Sequence, residues 1–193
     1  MTGFERIKAN WVYGGALCGL LLLFLTPVLT AGWERAAVFG FLALPIYMLH
    51  QFEEHDGDRF RLFVNAVLGH GREALSVGAV FWINILGVWF LLGAGIWAMA
   101  LGGPGWAALA GWLLLINGLL HVAQGAALRR YNPGLATAVA LFLPVGLLTL
   151  AAAWPYASGA VFWSSFAVAV IVHLAIVAHV RRALSHAPVG ATT

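Results

Sequence analysis

An all-α bundle that crosses a membrane six times, with both termini in the cytoplasm, is the fold this sequence predicts, and three observations predict it. Of its 193 residues 62% are hydrophobic and 9% are charged, and the mean hydropathy is +0.91. Six apolar runs each reach the roughly 20 residues that a helix needs to cross the hydrocarbon core. The basic residues divide nine to one between the two sides that those runs define.

Taken in order, the runs cover about 12–30, 36–55, 75–101, 106–128, 134–154 and 159–180. The first has an apolar core longer than the h-region of a signal peptide and no Ala-x-Ala cleavage site after it, so it is expected to remain as a helix. The second ends in His50-Gln51-Phe52-Glu53-Glu54, and the segment from 55 to 74 after it reads as a charged loop able to form a short amphipathic helix. Gly87, Gly93, Gly111, Gly118 and Gly125 suit close helix packing in the third and fourth runs. Asn132-Pro133-Gly134 reads as a turn before the fifth, since proline stops one helix and glycine permits the bend. The sixth carries His173 eight residues before Arg181. Without a linker or a composition shift, residues 1–193 read as one integral membrane domain.

Orientation follows from charge. Arg6, Lys8, Arg59, Arg61, Arg72, Arg129, Arg130, Arg181 and Arg182 fall on one side and Arg35 alone on the other, which predicts a multi-pass protein of the plasma (inner) membrane with the nine inside. Trp33, Trp97, Trp106, Trp154 and Trp163 fall near the outer ends, where amphipathic rings favour the headgroup zone. The net charge of +3 therefore reflects topology and anionic lipid, and no nucleic-acid partner is expected. Cys18 is the single cysteine, which excludes an intramolecular disulfide and a thiolate metal cluster.

Ionisable residues within lipid-spanning helices are costly and usually functional, so the depths of the polar residues carry the functional signal. On a helix His50 shares a face with residues three and four positions on, Glu53 and Glu54. His121 precedes Arg129 by eight residues and His173 precedes Arg181 by eight, which puts both about 12 Å from those charges. Asn84 and Asn117 lie at similar depth, the second one turn from His121. This layer predicts a pocket open to the cytoplasm or the inner leaflet.

Imidazole and carboxylate together suit zinc or iron, with His50, His121, His173 and Glu53 or Glu54 as candidate ligands. A carboxylate outside the ligand set would activate water, and Asn117 would orient a substrate. The same groups without metal suit proton transfer.

His50-Gln-Phe-Glu53-Glu54, together with Asn117-Gly-Leu-Leu-His121, resembles the HXXEE-domain integral membrane proteins. The resemblance spans about 36–182 and implies His50, Glu53, Glu54, Asn117 and His121 as its positions, with a weaker correspondence at Tyr131-Asn132-Pro133-Gly134 and at His173. It implies the look of a membrane enzyme and no named activity.

Three readings follow. The first is a metal-dependent intramembrane enzyme, with hydrolysis as the reaction, acting on an amphipathic or lipid-like substrate: His50 and His121 are ligands, Glu53 or Glu54 a ligand or base, and Asn117 an orienting group. The second is a metal-free proton-transfer isomerase or a proton-coupled transporter. The third is a non-catalytic subunit in which Asn117 and His121 only join helices. Under that reading Glu53 and Glu54 are the wet mouth of a loop. His55, His70, His179 and His186 read as interfacial or loop residues outside any site.

Overall fold

The computed structural model describes residues 2–186; the side chain of His186 lies outside the described residues. Among the described residues six helical runs are long and apolar enough to cross a membrane: Gly3–Leu29, Arg35–Leu68, Val77–Gly102, Pro104–Leu128, Leu135–Ala153 and Gly159–Ser185, hereafter the first to sixth spans. No strand occurs among the described residues.

The first span begins well before the expected residue 12. Thr2 caps it, accepting from the Glu5 N–H at 3.2 Å, and the acidic Glu5 sits in the first turn, where it favours the helix dipole. The second span is α-helical over Arg35–His55. Gly57 and Asp58 then adopt left-handed conformations (φ 61° and 63°), and the chain resumes as a short helix over Arg59–Phe63 followed by a π-helical turn over Val64–Leu68. The charged loop thus contains the short helix expected of it.

The second and fourth spans are the centre of the bundle, with 61% and 50% of their apolar windows buried, against 22% for the first and sixth. Trp33, Trp97, Trp154 and Trp163 are exposed, as residues facing lipid or its headgroups should be.

Close packing of the fourth span on the fifth positions the site. A Cβ on Gly111 would lie 2.9 Å from Leu150, one on Gly118 2.9 Å from Leu143 and one on Gly125 3.2 Å from Leu135. These three glycines recur every seven residues, two helical turns, and so form one smooth stripe. Gly87 and Gly93 differ from expectation: each faces open space rather than a neighbouring helix.

Candidate metal centre

His50 and Glu54, one turn apart at the end of the α-helix Arg35–His55 of the second span, face His121 of the fourth, and all three are buried. His121 Nε2 lies 3.1 Å from Glu54 Oε1 and His50 Nε2 lies 3.4 Å from Glu54 Oε2. The fifth span begins directly over them. Gly134, at φ 96°, brings its backbone so close that an added Cβ would sit 2.7 Å from Glu54 Cγ and His121 Cε1 and 2.8 Å from His50 Cε1. Phe142, fully buried, covers the His50 ring at 4.1 Å between centroids. It closes a π-helical turn, Ala138–Phe142, a local widening that often marks functional positions in helices.

The hydrogen bonds around the two histidines fix which ring nitrogen carries the proton. Asn132 donates its amide N–H to the His121 carbonyl at 2.9 Å, which turns its Oδ1 toward the ring, 2.7 Å from Nδ1. A carbonyl oxygen only accepts, so His121 Nδ1 is the donor and Nε2 in the neutral ring is a bare lone pair. The Thr137 hydroxyl donates to Glu53 Oε2, and so its oxygen accepts from His50 Nδ1 at 2.7 Å. His50 Nε2 is again a bare lone pair, and it is buried without a hydrogen-bond partner. Two lone pairs and a carboxylate therefore converge in a largely desolvated space. Such an acceptor-only cluster is strongly unfavourable unless a metal ion or an added proton sits among its members.

The donor set fits a metal ion. His50, Glu54 and His121 offer ligand atoms that all lie within 4.8 Å of one another. Zinc bonds of about 2.0–2.2 Å in a tetrahedron place neighbouring donors about 3.3–3.6 Å apart; the 3.1 and 3.4 Å separations reach different oxygens of Glu54, so one oxygen and the two nitrogens, within 4.8 Å of one another, would draw together around an ion. Two histidines and one carboxylate are also the set that non-haem iron accepts, with positions left open for other ligands. The partners Asn132 and Thr137 are the outer groups that orient ligating imidazoles.

Glu53 points elsewhere. Its carboxylate accepts from the backbone N–H of Ala136 at 3.0 Å and of Thr137 at 2.7 Å, and from the Tyr131 hydroxyl at 2.5 Å. It thereby holds the N-terminus of the fifth span, where free N–H groups favour an anion. Tyr131, in the loop before that span, has its phenol pushed up to about 12 by desolvation and by the hydrogen bond and negative charge of Glu53.

Glu54 has a third imidazole neighbour. His55, expected as an interfacial residue outside the site, is buried with Nε2 3.4 Å from Glu54 Oε2. The left-handed turn at Gly57 and Asp58 folds the chain back, so His55 packs between Trp11 and Phe60, at 5.3 and 5.7 Å. A polar chain reaches it from the third span. Trp89 donates to Gln51 at 2.5 Å, Gln51 to Asn84 at 2.7 Å, and the Asn84 amide nitrogen lies 3.3 Å from His55 Nε2. His70 and His179 are exposed, as expected.

A cavity of about 610 Å³ opens beside the cluster. Glu54, His121, Asn117 and His173 line it among mostly apolar side chains. His173 Nδ1 meets the Ala169 carbonyl at 2.7 Å, and Asn117 Oδ1 is buried without a partner. The structure thus brings His50, Glu54 and His121 together, sets Asn117 and His173 on the adjoining cavity, and assigns Glu53 to the fifth span.

Residues 41–149, more than half of the chain, match the model of a family described as proteins of unknown function with an HXXEE motif. The chain belongs to the HXXEE family. No curated protein and no solved structure matches it. The match covers the motif and both partners of the fourth and fifth spans, and in this HXXEE protein the two motif glutamates diverge: Glu54 turns to the histidines and Glu53 to Thr137.

Thr137 is a site residue that sequence reasoning left out, and Asn132 and Gly134 entered it only as a weaker correspondence to the family. Asn132-Pro133-Gly134 forms the expected turn and is also part of the site, because the turn lies against the cluster and Asn132, fully buried, bonds His121. A signal for Thr137 existed, since it is the one hydroxyl in the first turn of the fifth apolar run.

Proposed function

We propose that this HXXEE protein is a metal-dependent intramembrane enzyme that hydrolyses an amphipathic, lipid-like substrate. The observation that carries the reading is the convergence of two unprotonated imidazole nitrogens on a buried carboxylate, beside a cavity with apolar walls. His50, Glu54 and His121 would hold zinc or iron. Such an ion supplies Lewis acidity and lowers the pKa of water within the cavity. Asn132 and Thr137 orient the histidines, Glu53 fixes Thr137, and Asn117 stands where it can bind a polar substrate atom. The nine-to-one distribution of basic residues favours the plasma (inner) membrane, with the cavity reached from the cytoplasm or inner leaflet.

One observation favours a second reading. Glu54 touches three imidazoles, and the same groups with protons in place of an ion would form a proton-transfer site serving an isomerase or a proton-coupled transporter. Turnover of amphipathic esters by protein reconstituted in liposomes separates the two. The metal reading expects hydrolysis that a chelator abolishes and zinc or ferrous ion restores, with His50→Ala and His121→Ala inactive. Turnover that survives complete removal of metal supports proton transfer instead, and no turnover with either variant changed only in stability supports a packing role.

A further inference from the structure

Two of the polar groups left unsatisfied on the cavity wall specify what a ligand must offer; a third, His55 Nδ1, belongs to a ring packed between Trp11 and Phe60. Asn117 Oδ1 is a buried acceptor without a partner. His173, also buried, commits Nδ1–H to the Ala169 carbonyl at 2.7 Å, so Nε2 of the neutral ring is an acceptor with no partner among the described residues. Both residues line the cavity beside Glu54 and His121. A ligand that leaves two such acceptors unpaired in a desolvated site loses about 1–3 kcal/mol for each.

Charge narrows the class. A divalent ion held by one carboxylate and two neutral imidazoles leaves the centre net positive, which disfavours an ammonium headgroup. A carboxylate or a phosphodiester group itself offers no hydrogen to Asn117 Oδ1 or His173 Nε2. Arg181 is the one arginine or lysine on the cavity wall among the described residues, and it lies eight residues from His173, about 12 Å along the helix toward its C-terminal end. Apart from Tyr47, His55, Asn84 and Gln124 the remaining walls are apolar, with Val172, Ile176, Val180 and Leu184 forming a stripe on the sixth span.

We infer that the cavity binds an uncharged acyl lipid bearing free hydroxyl groups, of the monoacylglycerol type, with its hydroxyls donating to Asn117 Oδ1 and His173 Nε2 and its chain along the sixth span. This rests on the proposed hydrolase reading. Hydrolysis of such a lipid breaks the acyl carbon–oxygen bond; the hydroxyl of water goes to the acyl carbon and its remaining hydrogen to the released glycerol oxygen.

The test is saturation binding of a radiolabelled medium-chain monoacylglycerol to the detergent-purified full chain, competed by the fatty acid, the alkylamine and the methyl ester of equal chain length, with metal content measured on the same samples. The monoacylglycerol should bind at least about tenfold more tightly than the three competitors, and Asn117→Leu and His173→Leu should each weaken it about tenfold, with metal content unchanged. Equal or tighter binding of the acid, amine or methyl ester overturns the inference on wild-type protein alone, whatever the variants do. Wild-type affinity in both folded variants overturns it as well. Selective monoacylglycerol binding by protein that holds no metal upholds the hydroxyl acceptors and refutes the metal reading separately.

Discussion

Replacing Gly134 by alanine puts a methyl group into the most crowded backbone approach of the site, and its effect can be worked from the geometry. The new carbon would stand 2.7 Å from Glu54 Cγ and His121 Cε1 and 2.8 Å from His50 Cε1. Carbon atoms rest about 3.5–4.0 Å apart, so these side chains or the turn must withdraw by about 0.7 Å or more. A ligand set tolerates errors of only about 0.5 Å, so metal affinity should fall by about 10- to 100-fold, the range seen when supporting groups of a metal site are disturbed. A left-handed alanine costs a further ~1–2 kcal/mol in stability, which alone would say nothing about the site. Gly103 provides the control. Its φ of 93° and ψ of 168° lie in a region at least as hostile to alanine as the left-handed φ 96°, ψ −13° of Gly134, and a Cβ there meets nothing within 4 Å. Gly103→Ala should show the loss of stability in an unfolding titration and keep wild-type affinity in a chelator-competition titration. Gly134→Ala should show both losses. Equal metal affinity in the two variants would refute the placement of the turn over the cluster.

Other expectations come from the supporting bonds. Thr137→Val removes the acceptor of His50 Nδ1 and should lower metal affinity about 10- to 100-fold by the same competition titration, whereas Thr137→Ser should restore it. Gln51→Leu strands the Trp89 N–H and Asn84 Oδ1, and should destabilise the protein by about 1–3 kcal/mol per stranded group, measured by denaturant titration in micelles. The Tyr131 phenol, raised from 10.0 to about 12, stabilises the folded chain in its protonated form; that contribution is complete below pH 10 and lost as pH rises through about 12. Difference absorbance of wild type against Tyr131→Phe should therefore show tyrosinate from this residue only toward the upper end of that window.

The number of spans was legible because hydropathy over twenty residues is a strong, local signal, and the polar layer was legible because helical rise converts sequence spacing into depth. His50 and His121 could be paired on that basis. Which glutamate joins them could not, since adjacent helical residues point about 100° apart and the choice between Glu53 and Glu54 is made by the fifth span. That span reaches the site because Gly111, Gly118 and Gly125 let it close on the fourth. His55 was misread for a similar reason: its burial depends on two consecutive left-handed residues, Gly57 and Asp58, and an aspartate at positive φ leaves no mark in hydropathy. Thr137 and Asn132 act through single hydrogen bonds across the bundle, which periodicity along one helix does not encode.

Elemental analysis of the purified protein, wild type beside His50→Ala, His121→Ala and Glu53→Gln, tests the central claim most directly. The account predicts close to one zinc or iron per wild-type chain, loss of the metal from both folded histidine variants, and retention of it by Glu53→Gln, whose carboxylate serves the fifth span. Carefully prepared wild type without metal, or a Glu53→Gln protein as depleted as the histidine variants, would contradict it.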